Sequence, residues 1–455
     1  VPGYPLRRGF TFTAPEPDDV PRYLYNARWP EGERAQLLLV LDDPADTDRL
    51  RADGGLLDVL TAAGGGRGRG RRARHRSRRA ARRPGGTMTT PLTGPGFGSY
   101  APDEVSWLLK DLSHVALEAD VAERERRIQA GLAHYAESLP IEYQPDAAYR
   151  ELFDKVLAAT AGRLAHAVGT VTELLLAERG RDLTLVSLAR AGTPVGILIR
   201  RWAQRHHGLN LPHYAVSIVR GRGIDFAALD HVTARHDPAS VVVVDGWTGK
   251  GAIARELTAA LAEYRAAGGP ELSDDLAVLA DPGYCVRTYG TRDDFLIASA
   301  CLNSTVSGLV SRTVLNDTLI GPGEFHGAKF YAELAGEDVS AVLLDTVAAE
   351  FGDRDAAVTA AGNILRSDRT PTWAGWESVE KVRAEYGIST VNHVKPGVGE
   401  TTRVLLRRVP WRVLVREADA EEHAHIRMLA AARDVPVDVV PDLAYSCMGL
   451  IKDLP

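Results

Sequence analysis

Residues 241–251 read Val-Val-Val-Val-Asp-Gly-Trp-Thr-Gly-Lys-Gly. Four β-branched residues in a row predict a strand buried on both faces, as in a parallel sheet covered by helices. Asp245 stands at the strand tip, and a short glycine-rich turn then opens a helix expected over 252–267. A carboxylate at such a tip can accept hydrogen bonds from the vicinal hydroxyls of a ribose. The Thr248 hydroxyl and the successive N–H groups of Gly249, Lys250 and Gly251 suit a terminal phosphate. A nucleotide-hydrolysing P-loop is excluded, because it needs a hydroxyl after the lysine to bind magnesium and Gly251 stands there.

Working outward, the same strand–turn–helix pattern repeats. A strand over 183–188 runs into Ser187-Leu-Ala-Arg190-Ala191-Gly192-Thr193-Pro194 and a helix over 194–205. Small residues there let backbone N–H groups approach an anion, and Arg190 adds a full charge. Further strands are expected over 213–219 and 276–280, so the fold class is α/β with a parallel sheet, and ligands bind beyond the C-terminal strand ends. Upstream, apolar spacing predicts helices over 105–112, 121–135 and 149–179. Residues 35–41 read as a buried strand and 48–63 as a helix.

The chain has 455 residues, 45% hydrophobic and 25% charged, which excludes disordered, collagen-like and coiled-coil classes. No apolar run approaches the roughly 20 residues of a membrane span, and no signal segment opens the sequence, so a cytoplasmic protein without membrane contact is expected. Cys285, Cys301 and Cys447 make neither a disulfide framework nor a CxxC zinc site. The net charge of −6 hides ten arginines and no acid over 67–83, leaving −16 on the rest. Residues 64–87 therefore read as an Arg/Gly-rich linker, and Met88 looks like a natural start.

The two loops, in this order and separated by a strand, resemble the pyrophosphate and phosphoribosyl-diphosphate (PRPP) loops of type I phosphoribosyltransferases. More closely, residues 187–196, 241–251 and 291–316 resemble the StiP family of stress-operon proteins. The resemblance implies a phosphoribosyltransferase-like domain over 88–350 with a helical N-terminal part, a linker over 351–376, and a small three-layer Pelota-type RNA-binding domain over 377–455. Residues 1–63, with Arg22-Tyr-Leu-Tyr-Asn26, weakly resemble a TRSP-domain fragment. By resemblance, Ser187, Arg190, Ala191, Gly192 and Thr193 hold pyrophosphate. Asp245 and Gly246 face the ribose or Mg2+, and Thr248, Gly249, Lys250 and Gly251 hold the 5′-phosphate. Arg220 and Arg222 lie where a mobile loop closes over pyrophosphate. The family's second acid is replaced here by Gly246, and the loop is shortened. The implied activity is PRPP-dependent transfer to an unidentified acceptor in the synthesis of a nucleoside-like metabolite. The family's other implied activity is that of a cysteine protease. A non-catalytic nucleotide or RNA sensor is the third reading, and a homodimer is also expected.

Cys301, Asn303, Ser304 and Thr305 concentrate small polar side chains that could read an acceptor. The protease alternative makes Cys301 or Cys285 the nucleophile, with His326 or His236 as base. In the C-terminal part, Lys395-Pro-Gly397-Val-Gly-Glu400-Thr401-Thr-Arg403 is a glycine-rich turn opening a helix over 401–407. Six Lys/Arg and one acid between residues 395 and 416 suit an RNA backbone. By resemblance Lys395, Gly397, Glu400, Thr401, Arg403 and Arg407 face RNA.

Overall fold

The computed structural model describes residues 11–13, 22–28, 34–40, 90–119, 136–142, 147–420 and 423–451. Val1–Arg79 and Ala80–Pro455 form two compact units. In the first, β1 (Thr11–Thr13), β2 (Arg22–Arg28) and β3 (Arg34–Val40) pair antiparallel in that order. The strand expected over 35–41 is β3. The expectations for 48–63, 64–87, Met88 and 121–135 lie outside the described residues.

The second unit is built on a parallel sheet. Its strands are β4 (Ser106–Leu108), β5 (Thr184–Ala189), β6 (His213–Val219), β7 (Val241–Trp247), β8 (Ala277–Ala280) and β9 (Thr288–Thr291). The spatial order is β6-β5-β7-β8-β9, with β4 parallel along the outer edge of β6. Alternate residues of β7 enter opposite cores. Val242 and Val244 pack with α1 (Ala147–Arg179) and α2 (Thr193–His207). Val241 and Val243 pack with α3 (Phe226–Thr233) and α4 (Ala252–Ala266). Helices on both faces account for the uninterrupted apolar run.

The first helix expected upstream is instead the strand β4, followed by a two-residue pair with Gly327–Ala328. Val105, Trp107, Leu108, Leu109 and Leu112 are all buried, so burial on both faces mimics helical spacing. The stretch 351–376, expected as a linker, carries the helix α6 (Arg354–Arg366), which follows α5 (Ser340–Ala349). Arg369 pairs with Glu178 of α1 and closes that stretch onto the sheet domain.

The C-terminal domain has three layers. A sheet ordered β10 (Val394–Pro396), β13 (Cys447–Ile451), β11 (Pro410–Val415), β12 (Val437–Val439) is covered on one face by α7 (Ala374–Glu385). On the other face lie α8 (Val398–Arg407) and α9 (Ala424–Ala431). Among the described residues no helix is long and apolar enough to cross a membrane.

Candidate functional site

The sheet order reverses between β5 and β7, which leave their C-terminal tips side by side with helices departing to opposite faces. That is the switch point where open α/β sheets bind ligands. The register sets Val244 against Ser187. Gly192 lets the loops meet: a Cβ there would stand 2.5 Å from the Val244 carbonyl oxygen.

Beyond these tips opens a cleft of about 230 Å3. Its floor is the β7–α4 turn, with Asp245, Trp247, Thr248, Gly249, Lys250 and Gly251, and Ala191 borders it from the β5 loop. Arg220 enters from the hairpin after β6. Glu256 of α4 ties that hairpin to the helix by accepting from Gly221 N (2.9 Å) and Gly223 N (3.0 Å). The remaining wall is the C-terminal domain: Lys395, Pro396, Glu400 and Arg403.

Electrostatics in the cleft follow from burial. Among the described residues Asp245 accepts only from Gly246 N, at 2.8 Å, and burial pushes its carboxyl up to about 7. Burial, then the Lys395 and Arg220 charges, push the Lys250 ammonium down to about 8. Burial also opposes ionisation of Glu400, but the neighbouring Arg403 and Lys395 outweigh it and hold its carboxyl below the usual range. Among the described residues no three His, Cys, Asp or Glu side chains could hold a metal together. A carboxylate with no ion-pair partner among the described residues, bordering a polar cleft, fits a magnesium ion carried mainly by phosphate and water.

Several residues expected here lie elsewhere. Ser187 is buried inside the sheet, its Oγ 2.8 Å from His213 Nε2, while His213 Nδ1 lies 2.8 Å from the Glu104 carbonyl. The Arg190 guanidinium donates to the Val310 carbonyl at 3.0 Å and lies 3.8 Å from Glu142. Glu142 in turn accepts from Ser304 N and Oγ at 2.9 and 2.7 Å. Ser304 thus belongs with Arg190 in a second cluster, and Cys301, Asn303, Ser304 and Thr305 do not line the cleft. Thr193 is buried, and its hydroxyl meets no hydrogen-bond partner among the described residues. Arg222 pairs with Glu137 at 3.2 Å, outside the cleft. The Thr248 hydroxyl donates to Asp281, which the sequence reading missed. Asp281 also accepts from Cys285 N (2.9 Å), Val286 N (3.1 Å) and Arg292, and so anchors the turn from beneath. It follows the apolar strand β8 as Asp245 ends the apolar run of β7, and the same strand-tip signal could have found it.

Among the described residues Cys285 does not pair with His326 or His236. Cys285 Sγ donates to the Gly283 and Gly249 carbonyls at 3.4 and 3.6 Å, and burial pushes it up to about 12. Cys301 is fully buried. His326 Nδ1 pairs with Ser217 Oγ at 2.9 Å, and His236 with the Tyr214 hydroxyl at 2.9 Å. In the C-terminal domain Gly397 and the buried Thr401 shape the turn, while Lys395, Glu400 and Arg403 line the cleft. Arg407 ends α8, and its side chain lies outside the described residues.

Residues 98–348 match the family described as "Tellurite-like stress resistance cysteine protease StiP". The protein named "Cysteine protease StiP" from Acinetobacter baylyi is 37% identical over 374 residues, covering 79% of this chain and 95% of that protein. The chain belongs to the StiP family. In this StiP-family chain, residues 373–453 match a PELOTA RNA binding domain, and residues 1–60 match the model described as "TRSP domain C terminus to PRTase_2". The family match ends just before α6, and the Pelota match begins at Trp373 beside α7, so the cleft lies where the StiP and Pelota parts meet.

Proposed function

We propose that this StiP-family protein is a PRPP-dependent phosphoribosyltransferase acting on a small acceptor. The observation that carries this reading is the cation-lined cleft at the switch point, with the Asp245 carboxylate at one strand tip and a glycine-rich turn beside it. Asp245 accepts hydrogen bonds from the ribose hydroxyls and orients the sugar. The Gly249–Gly251 backbone and Lys250 hold the 5′-phosphate at the start of α4. Arg220 neutralises the diphosphate as the bond from the anomeric carbon to its oxygen breaks, with the electron pair leaving on pyrophosphate. The acceptor's lone pair then forms the new bond to that carbon, and the acceptor gives its proton to water. Catalysis is then mainly positioning and charge stabilisation. Asp245 is the residue that would hold magnesium, which supplies further charge neutralisation when bound. Calorimetric titration of the full chain with PRPP and Mg2+ tests the reading. Saturable binding lost in Asp245→Asn is expected, and no binding by the unaltered chain rejects it.

The relative's name favours a second reading, a cysteine peptidase. Cys285 is its best-placed nucleophile because it borders a separate cavity of about 480 Å3 with Trp373 and Arg287. Its raised thiol and its carbonyl partners count against it. Peptide hydrolysis abolished by Cys285→Ser or Cys301→Ser would establish the peptidase. Hydrolysis absent from the unaltered chain would remove it.

A further inference from the structure

We infer that the C-terminal domain supplies half of the anion site, with Lys395 and Arg403 binding a second phosphoryl group of the ligand held by the Thr248–Gly251 turn. The inference rests on the phosphosugar reading of the cleft and assigns the second half of its binding surface.

The geometry is that of a composite site. Four cations (Arg220, Lys250, Lys395, Arg403) and two carboxylates (Asp245, Glu400) line one small cleft, two cations coming from each domain. Arg403 is fixed rather than trailing in solvent. Its Nε donates to the Ala300 carbonyl at 3.2 Å, one terminal nitrogen meets Glu400 at 3.2 Å, and the guanidinium lies 5.8 Å from the Trp247 ring centre. Lys395 feels the Glu400 charge but makes no ion pair or side-chain hydrogen bond among the described residues. It stands on β10, next to Pro396, which packs 3.8 Å from where a Gly249 Cβ would lie. Burial and the nearby Arg220, Arg408 and Arg403 charges lower its affinity for a proton. Crowded cations in a low-dielectric cleft favour an anion that brings several negative charges at once.

The docking of the two domains is equally specific. The Tyr445 hydroxyl donates to the Gly249 carbonyl at 3.0 Å, reaching the phosphate turn itself. Asp294, after β9, accepts from Val398 N at 3.0 Å and from Ser446 N and Oγ at 2.9 and 2.8 Å. Lys250 reaches across to the Val391 carbonyl. A cleft of about 230 Å3 walled in this way takes a small phosphorylated ligand, not an RNA helix.

The test uses the full chain and three probes: PRPP with Mg2+, inorganic pyrophosphate, and a labelled hairpin RNA. Lys395→Met and Arg403→Met are each expected to weaken PRPP and pyrophosphate binding about tenfold or more. Lys395→Arg should restore most of it, and Lys381→Met, an exposed change on α7 of the same domain, should leave it unaltered. Thermal unfolding of each variant separates misfolding from lost contact. Tight PRPP binding unchanged by both Met variants overturns the inference and leaves the transferase reading standing. Pyrophosphate binding weakened by both variants, without PRPP binding, upholds the cation site and rejects the transferase. Failure of the unaltered chain to bind either anion rejects both. Loss of RNA binding alone in the Met variants assigns these residues to RNA and overturns the inference.

Discussion

Asp245 is half-buried at the cleft floor and His213 is buried in the sheet, and desolvation acts on their stability contributions with opposite sign. Asp245 is raised from 3.8 to about 7, so its contribution is present below pH 3.8 and is lost as pH rises through about 7. His213 is lowered from 6.5 to about 4, chiefly by burial, so its contribution is full above pH 6.5 and is lost as pH falls through about 4. Between about pH 4 and 6.5 the two slopes oppose each other in the unaltered chain. Asp245→Asn removes one of them. The variant should be more stable by roughly 1–3 kcal/mol at pH 8, and should lose stability more steeply from pH 6.5 to 4. Denaturant unfolding across that range checks it, and a profile parallel to the unaltered chain's contradicts the assignment. Lys250 supplies a separate pH signal. Its ammonium, held down to about 8, loses its charge as pH rises past that value, so PRPP affinity should fall there. Lys250→Met should bind more weakly and show no such fall in a calorimetric pH series.

At the scale of the element, the β7–α4 turn depends on Gly251 and Asp281. Gly251 has φ of +75°, and a Cβ there would stand 2.3 Å from the Trp373 ring and 2.8 Å from Cys285 Sγ. Gly251→Ala should cost about 2–4 kcal/mol in urea unfolding and also weaken phosphate binding. Asp281→Asn leaves the Arg292 cation without its carboxylate partner and should cost about 3–5 kcal/mol. A loss under 1 kcal/mol would show that Asp281 does not anchor the turn. The parallel strands and both loops were legible because each is encoded locally: an apolar run, a tip residue and a glycine-rich turn lie within a dozen positions. The side-chain directions were not. Ser187 and Arg190 sit in the right loop, yet Ser187 turns inward to His213, and Arg190 is held by Val310 and Glu142. Those partners stand 26, 120 and about 50 residues away, and no spacing rule reaches them. β4 was misread because a strand buried on both faces carries no two-residue alternation.

For the molecule from Ala80 to Pro455, the decisive question is whether the C-terminal domain is fixed on the cleft or separable from it. The basic turn of residues 395–403 was legible as an anion site, but the sequence could not say which surface it met, because the contacts join residues more than 100 positions apart. Asp294 is the clearest joint. It is half-buried, and desolvation raises its proton affinity against the bonds from Val398 and Ser446. Two carboxylate oxygens accept three donors there. An amide offers one acceptor oxygen and turns two N–H donors toward groups that themselves donate. Asp294→Asn should therefore cost about 2–4 kcal/mol, and the loss should fall on the joint between domains rather than within either core. Calorimetric unfolding is expected to change from one transition to two, with weaker PRPP binding because Lys395 and Arg403 are no longer held over the turn. A single transition with unaltered PRPP affinity would mean that the docking rests on Tyr445, Arg403 and the apolar contacts instead, with Asp294 contributing little.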